Sequence, residues 1–430
     1  MRLDNTQTRR RSRTGLTLGM MALLATAGCD SLFEVENPNV IDASTVDPVA
    51  DGAIFARSAF QTLASSYGDM IVYTAWFTDE ARVGDTFPTR NEFGRRAVDF
   101  SNGTHNGSVW TPLTRAIAQG EQVIEILGTE AGQELNLARG AFTSAYGLVL
   151  QGEAFCEGTM RGPGGEPGVL MTSAELLETA VNRFDQAIAA ASAASGSDAA
   201  SILNAARVGK GRALLQLGRG SEAAQAVASV PADFVFNVPY IDDAGNRGRL
   251  GNGVFGFSAG GSRESLVVPP HYRDIGRDLT GDPADPTGDP RLPFFDSGRN
   301  GQDSTLRLFS QLKYPAWNSP IPLASGLEAR YIAAEGSGDV AQILALVNER
   351  RAVGGEGDYT GSNPLAELMR QRSIDFWLEA KRLGDFRRQG DLVPNILQPG
   401  EYYKPEVGVV LDQTCFPIPQ AEIDANPNLS

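Results

Sequence analysis

Apolar positions recur at helical spacing over most of the chain. Between 50 and about 67, Ile54, Phe55, Ala59, Phe60 and Leu63 mark one helical face, and a second helical stretch covers about 70–82. Residues 84–108 are polar, glycine-bearing and irregular, with Phe87, Phe93 and Phe100 inside them. The helical period returns at 109–128 through Trp110, Leu113, Ile117, Val123, Ile124 and Leu127, and again at 134–157. Trp76, Trp110 and Trp377 fall on periodic segments, which predicts core positions for all three.

The region 174–230 reads as a repeat. Ala174–Ala194 and Ala199–Leu217 are alanine-rich helices, Gly218-Arg219-Gly220 forms a turn, and Ser221–Val230 return as a shorter helix. Gly211, Leu214, Gly218 and Ala223 match tetratricopeptide spacing, with small residues where paired helices approach. Residues 231–326 break the pattern: they are rich in Gly and Pro, and only short strands such as Phe234–Val238 and Leu266–Val268 are expected. Helical pattern resumes at 327–335 and 339–352 and then runs through 364–388, with Asn363 as N-cap and Pro364 in the first turn. The predicted fold is mainly α, a tetratricopeptide-like helical-hairpin superhelix with long irregular loops and a few short strands. Its repeat helices cover about 50–82, 109–157, 174–230 and 327–388, and the irregular insertion covers about 231–326. Long ordered loops on a helical scaffold usually serve binding.

The N-terminus has a different character. Arg2, Arg9, Arg10, Arg11 and Arg13 precede an apolar run from Leu16 to Ala27 that is too short to span a bilayer, the arrangement of a secretory signal. Thr26-Ala27-Gly28-Cys29 resembles a bacterial lipobox, which makes 1–28 the signal peptide, Cys29 the lipidated residue, 29–48 an anchor and tether, and 49–430 a single domain. Export favours a disulfide between the remaining thiols, Cys156 and Cys415. Two separately buried thiols are the alternative, because spacing says nothing about proximity.

Composition narrows the chemistry. With 37 Lys+Arg against 52 Asp+Glu the formal charge is −15, and removal of residues 1–28, carrying five Arg and one Asp, takes it to −19. That balance argues against a nucleic-acid binder, which needs a basic face. Two histidines, His105 and His271, and three cysteines exclude a multi-histidine or four-cysteine metal centre. No metal or other cofactor is expected.

Motifs that promise catalysis lack their context. Gly251-Asn252-Gly253-Val254-Phe255-Gly256 satisfies GxGxxG without the flanking strand and helix that a dinucleotide needs. Gly256-Phe257-Ser258-Ala259-Gly260 satisfies GxSxG, but His271 follows too closely for a hydrolase sheet to intervene. The Asp-Pro pairs at 282–290 could offer carboxylates to calcium but lack EF-hand periodicity and read as turns.

Family-specific strings appear at the C-terminal end. Arg330-Tyr331-Ile332-Ala333-Ala334-Glu335, Val347-Asn348-Glu349-Arg350-Arg351 and Phe376-Trp377-Leu378-Glu379-Ala380-Lys381-Arg382-Leu383-Gly384-Asp385-Phe386-Arg387-Arg388 follow in order. Phe416-Pro417-Ile418-Pro419-Gln420-Ala421-Glu422-Ile423 and Asn426-Pro427 come next, while Lys313-Tyr314, Asp289-Pro290-Arg291 and Thr78-Asp79-Glu80 lie upstream. Together they resemble the SusD/RagB family across the chain, with Ala380 in place of the usual glycine and Gln389 in place of the usual tryptophan. The set Glu379, Arg382, Asp385 and Arg388, at helical three-residue steps, reads as an ion-pair network that locks the last helix rather than a catalytic cluster.

The resemblance implies a non-enzymatic outer-membrane lipoprotein, exposed on the cell exterior. It would capture a nutrient, usually an oligosaccharide, and pass it to a SusC-type TonB-dependent transporter. In such relatives the site lies in the irregular part, which points to Arg90, Asn91, Phe93, Tyr272 and Trp317 as ligand contacts. Two other classes stay open: a helical-repeat lipoprotein that binds a protein partner without a small ligand, and a hydrolase with an unrecognised carboxylate pair. Replacing Cys29→Ala should abolish incorporation of labelled palmitate and move the protein from the membrane pellet to the soluble fraction; unchanged labelling would refute lipidation at this cysteine.

Overall fold

The thirty-residue helix α1 (Pro48–Phe77) begins the unit formed by residues 48–430. The computed structural model describes residues 47–162, 165–281 and 286–429; the signal segment, Cys29, most of the tether, Asp282 and Asp285 lie outside the described residues. The two helical stretches expected at 50–67 and 70–82 are one helix that ends at Phe77. Gly68 does not break it. A lone glycine costs about 1 kcal/mol in a helix, and here it admits a close neighbour: a Cβ on Gly68 would stand 3.2 Å from the Gly253 nitrogen. From Leu63 onward α1 is buried all round, except that Ser65 and Asp69 keep partial exposure.

The segment 84–108, expected to be irregular, contains helix α2 (Pro88–Gly94), started by its first-turn proline. A π-helical turn at His105–Trp110 then leads into α3 (Thr111–Leu127). Helix α4 (Glu134–Ala154) is the centre of the scaffold, with every residue from Gly140 to Ala154 buried. Against it pack α5 (Ser173–Ala193), opened by a Thr172/Glu175 capping box, and α6 (Ser197–Gln216). Gly218, at φ 73°, turns the chain into α7 (Gly220–Val227), as the repeat spacing predicts.

The insertion carries a short helix, α8 (Gly253–Phe257), and most of the strands. Antiparallel pairs join β1 (Arg82–Val83) to β5 (Leu266–Val267), β2 (Glu157–Thr159) to β3 (Leu170–Thr172), and β4 (Val235–Val238) to β9 (Ile321–Ser325). A three-stranded sheet places β7 (Asp289–Asn300) between β6 (Gly276–Asp278), parallel to it, and β8 (Arg307–Gln311), antiparallel. At twelve residues β7 exceeds the short pieces expected; Pro290 and Pro293 disguise an alternation that buries Leu292 and Phe294. Asp289, last of the Asp-Pro aspartates, is held by the Arg291 guanidinium at 2.6 Å.

Helix α9 (Gly326–Ser337) packs on α7 and is followed by α10 (Val340–Val353) and α11 (Pro364–Asp375). The Asn363 side chain caps α11 by accepting from the Ala366 N–H at 3.1 Å. The helix expected to continue through 388 stops at Asp375, and α12 (Arg382–Gln389) starts afresh. Between them Leu378 and Ala380 adopt φ of 57° and 52°, so Ala380, which stands in place of the glycine that the sequence resemblance leads one to expect, holds a left-handed conformation. Glu379 therefore lies off the helix, and the charged quartet does not share one face. Arg388 nonetheless joins Asp385 and Glu335, each at 2.8 Å, in the expected ion-pair lock.

Cys156, just beyond α4, forms a disulfide with Cys415, with Cα atoms 5.1 Å apart. The Cys156 N–H donates to the Phe416 carbonyl at 3.0 Å, which draws the C-terminal segment onto the end of α4. Phe416 then completes an aromatic cluster with Phe77, Phe93, Phe155 and His105.

The core also contains charge. Arg212 of α6 donates through Nε to Glu153 of α4 at 2.8 Å and through Nη2 to the Ala380 carbonyl at 2.7 Å. Its Nη1 lies 4.0 Å from Glu328 of α9, which Lys381 approaches to 3.3 Å. Lys313 binds Glu379 at 2.7 Å, and the Tyr67 hydroxyl of α1 donates to the Glu379 carbonyl at 2.9 Å. Removing one member strands its partners in a low dielectric. Arg212→Met should lower the unfolding free energy by about 3–5 kcal/mol in a urea titration, and Glu153→Gln in the same chain should restore part of the loss. Additive losses would count against coupling.

Candidate functional site

The partial exposure of Ser65 and Asp69 opens a cleft of about 420 Å³ between α1 and the glycine-rich insertion. Trp317 forms one wall, and Gly251, Gly253, Gly256, Gly260 and Gly261 line it with Arg247 and Arg263. The glycines are needed for contact: a Cβ on Gly251 would stand 2.7 Å from the indole, and one on Gly256 3.1 Å. Bare backbone therefore backs one side of the ring. Asn252 fixes this arrangement through three hydrogen bonds: its N–H donates to the Trp317 carbonyl at 2.8 Å, its Nδ2 to the Ser319 carbonyl at 2.7 Å, and its Oδ1 accepts from the Phe255 N–H to cap α8.

The aromatic and cationic groups are stacked. The Arg247 guanidinium lies 5.4 Å from the Trp317 ring centre and pairs with Asp242 at 2.6 Å. Phe255 meets Trp317 edge-on at 5.4 Å. Arg263 stands over Phe257 at 4.7 Å, and its backbone N–H donates to the Gly256 carbonyl at 3.0 Å. A partly exposed flat ring beside guanidinium and carboxyl groups can stack on the apolar face of a sugar and bond its hydroxyls. A cleft of about 530 Å³ bordered by Glu178, Asp185, Lys210 and Arg219 offers charge but no aromatic face.

Of the five contacts expected from sequence, Trp317 lines this cleft. Arg90 lies behind it, paired with Asp85 at 2.7 Å and 5.1 Å from the centre of the Phe257 ring. Asn91, Phe93 and Tyr272 are buried, and a ring with no exposed face cannot stack on a ligand. Asn91 binds the Asp85 and Phe87 carbonyls and the Tyr402 hydroxyl. Phe93 packs on Tyr73 and Phe416, and Tyr272 on Trp377. These three are anchors for their loops. Arg247, Arg263 and Asp69 were not singled out in the sequence; the glycine density at 245–261 and an aspartate inside the apolar run Tyr67–Phe77 are the signals that could have found them.

Among the described residues, the GxSxG string does not assemble a serine nucleophile with a base. Ser258 of the GxSxG string is buried and donates to the Val254 carbonyl at 2.8 Å. Burial pushes Asp79 up to about 6 and Glu80 to about 7. This adjacent pair is nevertheless enclosed, with Arg82 on Asp79 and the Leu378 N–H on Glu80. Burial also lowers His105 to about 4 and His271 to about 3, so both imidazoles are neutral at pH 7. Among the described residues, no three His, Cys, Asp or Glu side chains converge as a metal site.

The Asp69 carboxyl is pushed up to about 7 by burial, with Arg263 pulling it back down. From its ordinary value of 3.8 up to about 7, the folded chain holds a proton that the unfolded chain has released, so rising pH lowers stability across this window. Asp69→Asn imitates the protonated acid. Urea titrations should find it more stable than the parent by about 1–2 kcal/mol near pH 8 and equal to it near pH 4. The same difference at both values would disprove the assignment.

No family model matches the sequence, and a search of curated proteins found no match. Solved structures do match along nearly the whole chain. A SusD superfamily protein from Parabacteroides distasonis superimposes with a TM-score of 0.64 at 15% identity, covering 90% of this chain and 99% of its own. A SusD-like carbohydrate-binding protein from Bacteroides fragilis gives 0.64 at 16% identity, over 87% and 98% of the two chains. Surface glycan-binding protein A from Bacteroides thetaiotaomicron, solved with laminarihexaose, gives 0.61 at 15% identity over 89% and 98%. With the helical hairpins, the long insertion and this chain-wide superposition in agreement, the protein has the SusD/RagB fold.

Proposed function

We propose that this protein is a lipid-anchored outer-membrane lipoprotein that captures an oligosaccharide at the cell exterior and passes it to a SusC-type TonB-dependent transporter. The observation that carries the reading is the partly exposed Trp317 indole, backed by glycines and flanked by planar polar groups, in the irregular insertion of a SusD/RagB fold. A structural neighbour solved with laminarihexaose supports a glycan as the ligand class. The lipobox at Cys29 supports the anchor, and no described helix is long and apolar enough to cross a membrane. Capture without bond cleavage is consistent with two neutral histidines, of which His105 is buried, and an enclosed Ser258.

Calorimetric titration of residues 30–430 against a panel of neutral and acidic oligosaccharides tests the reading. At least one glycan should bind, and Trp317→Ala should weaken it about tenfold, corresponding to the ~1.4 kcal/mol expected for loss of one aromatic stacking face. Failure with every glycan, together with no co-purifying transporter, would refute the reading and favour a helical-repeat protein that binds a protein partner.

A further inference from the structure

The Trp317 cleft has a charge character that a neutral sugar does not require. The chain as a whole carries −15, yet the charged side chains lining this cleft are Arg247, Arg263 and Asp69. Arg247 is already partnered by Asp242 at the rim. Arg263 makes no ion pair with a described carboxylate; Asp69 acts on it from beyond ion-pairing distance, and its guanidinium is held over the Phe257 ring. A guanidinium held over an aromatic ring without an ion pair can offer its N–H groups to a ligand, and its fork matches a carboxylate or sulfate in a two-point bond. Gly256 links this cation to the sugar platform, because its carbonyl accepts the Arg263 N–H while its Cα faces the Trp317 indole.

We infer that the cleft selects acidic oligosaccharides, with a pyranose ring stacked on Trp317 and the anionic group of the ring, a uronate carboxylate or a sulfate, bound by Arg263. The inference rests on the proposed glycan capture and adds the class of glycan. Asp69 limits it in a useful way: the carboxyl faces the same cleft, so an anion is accepted only where it meets the Arg263 edge. Arg247 adds a second positive group beside the platform, tempered by Asp242.

The test uses hexasaccharides of galacturonate, sulfated galactose and neutral galactose, with the mannuronate and mannose pair alongside, titrated into residues 30–430 at low and moderate salt. At least one acidic sugar should bind ten times more tightly than its neutral counterpart at low salt, with the gap shrinking as salt rises. Whether the carboxylate or the sulfate arm binds identifies the anion. Arg263→Gln should erase the gap between acidic and neutral sugars, and Arg263→Lys, which keeps the charge but loses the fork, should retain part of it; an unchanged melting temperature certifies both variants as folded. Equal affinity for acidic and neutral partners, or a gap that survives Arg263→Gln, overturns the inference and leaves glycan capture standing. Absence of binding to every sugar overturns both.

Discussion

Three cations and three anions, Arg212, Lys313 and Lys381 against Glu153, Glu328 and Glu379, meet where α4, α6, α9 and the segment before α12 converge. An unpaired ion in such surroundings costs several kcal/mol, so each element that brings one charge requires the others to be in place. The network draws its members from distant parts of the chain, and Tyr67 attaches α1 to it through the Glu379 backbone. Apolar packing alone would let the hairpins slide past one another. Matched buried charges remove that freedom, because a shift of one helical turn would separate Glu153 and Glu328 from Arg212 and strip these buried charges of that pairing.

The left-handed residues Leu378 and Ala380 belong to the same constraint. They turn the chain between α11 and α12 so that the Ala380 carbonyl can accept from Arg212 and Lys381 can reach Glu328. Trp377, in the same turn, donates its indole N–H to the Glu80 carbonyl at 2.9 Å and so ties this corner to the end of α1. Three residues beyond Glu153, the Cys156–Cys415 disulfide secures the C-terminal segment against the end of α4. The scaffold is thus closed around the end of α4 by one ionic and one covalent link, and Lys313 ties the insertion to the ionic one.

The cleft follows from that support. Helix α1 presents Ser65 and Asp69 at the one stretch where its buried half reaches partial exposure, and the Gly68–Gly253 contact brings the glycine loop down beside them. Glycines that look like a flexible linker in sequence are used to seat an indole and to let backbones touch. The same close approach desolvates the Asp69 carboxyl, which raises its affinity for a proton, and sets Arg263 over Phe257.

Periodicity by itself determined the helical hairpins, because an amphipathic face has a 3.6-residue signature that survives in any context, as at 174–217. The Asn363 cap, the Gly218 turn and the core placement of Trp76, Trp110 and Trp377 were legible for the same local reason. Tertiary structure decided the rest. Whether an aromatic residue anchors a loop or faces a ligand depends on what packs over it, which separated Trp317 from Phe93 and Tyr272. Helix ends at Phe77 and Asp375 depended on contacts from distant segments, and the strand at 289–300 on a partner across the sheet. Arg263 illustrates the division best: its charge is written in the sequence, but only the folded chain sets it over Phe257 in a cleft shared with Trp317 and Asp69.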